Sequence, residues 1–170
     1  AVRWALDKYT KWSTVHKSDQ LTVTVVFASA YGYTRRLKDV IVDELLKGGA
    51  LVHVFEVPNV EIARIVGKIE ESDVLIVASP TFVGDGIKPI YDVLNSLNPV
   101  IGHGKYASAF GSFGWSGEAI RNYLNRAKEL RFKTVDDGFK VRLKPSEKDV
   151  EAARVYARNF ITKVREELNK

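Results

Sequence analysis

Five short, almost wholly apolar runs, each followed by a stretch with helical spacing, leave this chain few folds to choose from. "LTVTVVFA" from Leu21, "LVHVFEV" from Leu51, "DVLIVAS" from Asp73 and "KYASAF" from Lys105 read as strands. "RFKTVD" from Arg131, with "FKVRL" as its extension, reads as the fifth. Apolar runs without polar alternation suit strands covered on both faces, which is the condition of a parallel sheet. Between them, apolar residues return at i, i+3, i+4 and i+8, as in Leu37, Val40, Ile41 and Leu45. Ile62, Ile65, Val66 and Ile69 repeat the pattern, as do Ile87, Ile90, Tyr91, Leu94 and Leu97. Pro58 and Asn59 open the first of these two helices, and Pro89 stands in the first turn of the second, where a missing N–H costs nothing. Ile120, Tyr123, Leu124 and Ala127 mark a fourth helix. The last, through Val150, Ala153, Ala157, Phe160, Ile161, Val164 and Leu168, opens on "SEKD", a capping-box pattern.

Strand–helix alternation implies right-handed crossovers and helices on both faces of the sheet. With 170 residues there is enough chain for one well-buried core. Five strands suit the order 2-1-3-4-5, a flavodoxin-like three-layer α/β sandwich with a five-stranded parallel sheet. Residues 1–20, with Trp4, Tyr9 and Trp12 set among Lys and Asp, read as a linker or N-terminal extension. Residues 21–170 form the domain.

Composition removes several chemistries. Cysteine is absent, which excludes disulfides, thiolate metal sites and thiol nucleophiles. His16, His53 and His103 have no ligand spacing, so no metal site is expected. The net charge of +5 raises nucleic-acid binding, but the basic residues are scattered and alternate with acids, as in "VREELNK". A solvated surface without nucleic acid is the expectation. No apolar run approaches the roughly 20 residues that span a bilayer, and no basic-then-apolar leader is present. We expect no membrane association and a cytoplasmic location.

In a doubly wound sheet, ligands bind beyond the carboxyl ends of the strands where the strand order reverses. Here that point lies between the first and third strands, so the loops after strands 1, 3 and 4 matter. The first is Ser29, Ala30, Tyr31, Gly32, Tyr33 and Thr34. Its hydroxyls, its glycine and the helix N-terminus beyond it suit an anion. On this loop alone, an ordinary turn with Thr34 as N-cap weighs equally. No Walker lysine follows, which argues against nucleotide triphosphate hydrolysis. The second is Ser79, Pro80, Thr81, Phe82, Val83 and Gly84, followed by Asp85 and Gly86. An apolar pair beside glycines offers packing to a flat ligand and peptide groups to its edge. The third runs Gly111, Ser112, Phe113, Gly114, Trp115, Ser116 and Gly117. Trp115 among glycines offers a broad π-face.

"SAYGYT", "SPT" and especially "AFGSFGWSGEA" resemble the flavin loops of flavodiiron proteins, also called A-type flavoproteins. "DKYTKWS" resembles the linker that joins their diiron domain to their flavodoxin domain. The resemblance covers roughly residues 5–168. It implies FMN as cofactor, held by Ser29, Ala30, Tyr31, Gly32, Tyr33 and Thr34 around the phosphate. Ser79, Pro80, Thr81, Phe82, Val83 and Gly84 would line one side of the ring system. Ser112, Phe113, Gly114, Trp115, Ser116 and Gly117 would cover the other. The family's His/Asp/Glu iron ligands have no counterpart here. A free-standing chain of this kind would shuttle electrons rather than reduce oxygen or nitric oxide itself; an excised one would have a parent that does that reduction.

The resemblance implies an FMN-binding electron-transfer domain that exchanges electrons with a redox protein partner, a diiron domain as acceptor or a rubredoxin-like donor, with a homodimer possible. No side chain is assigned a catalytic role, and the chain reads as an oxidoreductase component or a carrier. Arg35 and Arg36 stand beside the phosphate loop, either offsetting its charge or pointing to solvent. The basic balance is expected to ease formation of the reduced flavin anion. The alternative is a stand-alone NAD(P)H-dependent FMN or quinone reductase. A response-regulator-like module would need an acid at the end of strand 1, where Phe27-Ala28-Ser29 offers none.

Overall fold

The computed structural model describes residues 20–28, 32–81, 84–114 and 117–170. The expected linker falls almost wholly outside them. Strand β1 spans Thr22–Phe27 and helix α1 spans Tyr33–Lys47. They are followed by β2 (Leu51–Glu56), α2 (Ile62–Glu71), β3 (Val74–Ala78) and α3 (Lys88–Asn95). A single turn, α4 (Pro99–Gly102), precedes β4 (Tyr106–Phe113) and α5 (Glu118–Glu129). The chain closes with β5 (Phe139–Arg142) and α6 (Glu147–Leu168). All strand pairs are parallel and the order is β2-β1-β3-β4-β5, the expected flavodoxin-like arrangement.

The alternation of side chains along β1 divides the core in two. Val23, Val25 and Phe27 pack with Leu37, Ile41 and Leu45 of α1 and with Ala157, Phe160 and Val164 of α6. Val26 and Ala28 face the other way, into Ile65 and Ile69 of α2, Ile90 and Leu94 of α3, and Tyr123 of α5. Every residue of β1 and of β3 is buried, which explains why these runs lack polar alternation. β2 is an edge strand, and Leu51 and Val54 are exposed on it.

Three expectations need correction. The fourth strand does not end at Phe110: Gly111, Ser112 and Phe113 continue it. Their ladder partners are Lys140, Val141 and Arg142 of β5, so pairing outlasts the apolar run. "RFKTVD" is not a strand. Lys133 makes one isolated bridge to Tyr106. Before it, Arg131 sits at φ 70°, a left-handed turn, and after it Asp136 Oδ1 accepts from the Gly138 N–H at 2.9 Å, closing a second turn. Third, α2 begins at Ile62 with Glu61 as its N-cap, not at Pro58 and Asn59. The capping box stands as read: Ser146 Oγ accepts from the Asp149 N–H at 3.2 Å, and Asp149 Oδ2 accepts from the Ser146 N–H at 2.9 Å.

Candidate functional site

The three loops singled out by sequence leave the same edge of the sheet, and Ser112 joins them. Its carbonyl accepts the Thr81 N–H at 3.0 Å, tying the loop after β3 to the end of β4. Its hydroxyl lies 3.3 Å from the Thr34 hydroxyl, which reaches it from α1 across the end of β3. Thr34 and Ser112 are both buried. Thr34 is therefore not an N-cap, the competing reading of its loop. Gly32 holds that position at φ 80°, in left-handed backbone that favours glycine, and no side chain caps the helix there. No acidic residue stands in the first turn of α1. The Thr34 hydroxyl and the N–H groups at the start of an acid-free helix are donors that fit a phosphate group.

The remaining expected residues are placed as follows. Tyr33 is the first residue of α1 and half-buried. Ser79 and Pro80 are buried, Thr81 is half-buried, and Gly84 is exposed at φ 77°. Phe113 is half-buried beneath the Lys140 ammonium, 5.9 Å from its ring centre. Gly114 is exposed, and Gly117 caps α5. A Cβ on Gly117 would come within 2.8 Å of Lys140 Cδ, a contact that a shift of the flexible lysine chain relieves. Ser29, Ala30, Tyr31, Phe82, Val83, Trp115 and Ser116 lie outside the described residues.

The two arginines that follow the first loop are both engaged by carboxylates. Arg35 forms an ion pair with Glu56, and Arg36 forms one with Glu147 at 3.3 Å. Each cation faces a carboxylate at the surface, as the solvent-facing alternative expects.

A tether on the β3 loop had no signal in the sequence. The Tyr123 hydroxyl, on α5, accepts the Ile87 N–H at 2.9 Å and lies 2.5 Å from Ser79 Oγ. Ser79 Oγ in turn donates to the Pro80 carbonyl at 2.9 Å. Asp85 Oδ1 accepts three donors: the Gly86 N–H at 2.7 Å, the Tyr91 hydroxyl at 2.5 Å and Asn122 Nδ2 at 2.8 Å. The Tyr91 hydroxyl, followed by Asn122 and the Gly86 N–H, holds the Asp85 carboxyl below its usual range. Burial raises the Tyr91 phenol above its usual range, and Asp85 adds to that. Burial also raises Tyr123, against its bonds to Ser79 and Ile87. Both phenols therefore stay protonated as donors and Asp85 stays charged at neutral pH. Gly86 belongs to this tether rather than to a ligand edge, since a Cβ there would fall 2.4 Å from the Tyr123 ring. The tyrosines were legible as core-facing helix positions; the bond between Tyr123 and Ile87, 36 positions away, was not.

Tyr123→Phe keeps the ring and removes the hydroxyl, leaving the Ile87 N–H without its acceptor. A loss of about 1–2 kcal/mol is expected. For a chain this long that lowers Tm by roughly 2–8 °C, measurable by thermal unfolding.

Among the described residues, no helix is long and apolar enough to cross a membrane, and no three His, Asp or Glu side chains gather as metal ligands.

Comparison with known proteins supports the geometry. The family described as Flavodoxin matches residues 25–155. The type A flavoprotein FprA of Rhodobacter capsulatus is 34% identical over 140 residues, covering 82% of this chain and 32% of that protein. A flavodoxin from the domain Archaea superposes with a TM-score of 0.73 at 25% identity, over 85% of this chain and 99% of that one. Rubredoxin oxygen:oxidoreductase from the anaerobe Desulfovibrio gigas shares the fold, with a TM-score of 0.83 at 21% identity over 99% of this chain and 42% of that one. The chain thus spans about a third of the length of the curated relatives it matches.

Proposed function

The chain belongs to the flavodoxin family as an FMN-binding electron-transfer domain, and from that premise we propose that the loops after β1, β3 and β4 hold the flavin. The observation that carries this is the convergence of all three on Ser112, through the Thr81 N–H and the Thr34 hydroxyl. Thr34, Gly32 and the other residues of 29–34 bind the phosphate. Ser79, Pro80, Thr81 and Gly84, with Phe82 and Val83, border one side of the ring system. Ser112 through Gly117 border the other, and Trp115 supplies an aromatic face. FMN supplies one- and two-electron exchange, while these residues fix its position and exclude water. No acid–base side chain is required.

The partner is a redox protein, a diiron domain that accepts the electrons or a rubredoxin-like protein that donates them. The reading is supported by the relatives' names, type A flavoprotein and rubredoxin oxygen:oxidoreductase. Residues 1–20 serve as a linker or extension, residues 21–170 as the flavin domain, and a homodimer remains compatible with this assignment.

The absorbance spectrum of the purified chain tests the reading. Flavin bands, or their appearance on titration with FMN, are expected. A protein that neither carries nor takes up FMN defeats the assignment. Bleaching of bound FMN by NADPH alone would instead mark a stand-alone reductase.

A further inference from the structure

The net charge of this chain is not spread over its surface. Between residues 121 and 148 lie nine Lys and Arg against four Asp and Glu, an excess of five that equals the +5 of the whole chain. The other residues therefore balance to zero, and the scattered pattern expected from sequence holds only for them. Elsewhere, cations such as Lys47, Lys88 and Arg158 are paired with carboxylates. Part of that excess lines a cleft of about 330 Å³ between α5 and the segment that leads into β5. Its walls carry Arg121, Lys128 and Lys140 against the single carboxylate of Asp137. None of these three cations forms an ion pair within the described residues. Gly117, at the end of the loop after β4, lines the same cleft, and Lys140 touches Phe113.

Unpaired cations held together cost repulsion, which an acidic partner removes. The cleft also opens beside the loop assigned to the flavin. We propose that this flank of α5 and β5 is the docking surface for an acidic protein, seated where it comes close to the flavin; this rests on the flavin assignment above. The rest of the chain carries no net charge, so charge complementarity selects this flank.

Binding to an oxidised plant-type ferredoxin, an acidic protein, tests the surface without any redox step. Calorimetry should show an affinity that falls at least tenfold between about 20 and 200 mM salt, as screening of exposed charges requires. Cytochrome c, a basic protein, should not bind. Arg121→Glu with Lys128→Glu should weaken ferredoxin binding at least tenfold at low salt and leave the FMN titration unchanged. If FMN fails to bind, the flavin assignment fails. If FMN binds but the double variant binds ferredoxin like the parent, the docking surface is wrong. Binding of a 20-base-pair DNA duplex at about 150 mM salt, abolished by the same variant, would also overturn it and assign the flank to nucleic acid.

Discussion

Thr34→Val is expected to weaken FMN binding by roughly ten- to a hundredfold while leaving the fold intact. Valine has nearly the shape of threonine but lacks the hydroxyl. Thr34 is 1% exposed, so the site cannot recruit bulk water to replace the lost group. A hydrogen bond to a charged group contributes about 1.5–3 kcal/mol, which converts to that range of affinity. The loss on the apoprotein is smaller, because the 3.3 Å contact to Ser112 joins two neutral hydroxyls. Fluorescence titration with FMN and with riboflavin separates the effects. The variant should lose affinity for FMN and little for riboflavin, which has no phosphate. Equal losses for both would show that Thr34 holds the two loops together and does not meet the phosphate.

Gly111→Ala should be the more damaging change to the protein itself. A Cβ at this position would lie 1.9 Å from the Ser79 carbonyl oxygen and 3.1 Å from its carbon. Both partners are backbone in paired strands, since the Ser79 N–H donates to Phe110 at 3.3 Å, so neither can swing aside. Overpacking of this kind costs about 1–3 kcal/mol and more where backbone must shift. We expect about 3 kcal/mol lost in urea unfolding. The shift would part Ser79 from β4 and disturb two of the flavin loops at their base, so FMN affinity should fall as well. Unchanged stability would mean that the β3–β4 separation relaxes at this point.

Much of this architecture is legible in the chain. The uniform apolar runs of β1 and β3 reveal strands buried on both faces, and the i, i+3, i+4 spacing of Leu37, Ile41 and Leu45 reveals the face that α1 buries. The strand ends were less legible. Gly111, Ser112 and Phe113 read as loop because their composition is that of a loop; they are strand because β5 pairs with them. "RFKTVD" read as strand because Phe and Val favour extended backbone, but left-handed Arg131 at its start and the Asp136–Gly138 turn at its end leave it one bridge, at Lys133. The Asp85 tether was illegible for another reason. Its donors come from α3 and α5, and nothing in a local pattern records which distant side chains will meet.

The sequence by itself determined the layers, the order of elements and which loops would share an edge, because periodicity and chain connectivity are local properties that a parallel sheet must obey. Only the tertiary structure decided how those loops are held. Ser112 links them, Tyr123 and Asp85 fix the second, and Arg35 and Arg36 turn to Glu56 and Glu147. It also gathered three unpaired cations of the segment 121–148 into one cleft. Hydrogen bonds and ion pairs act over a few ångströms between residues far apart in the chain, so their partners exist only once the core has packed.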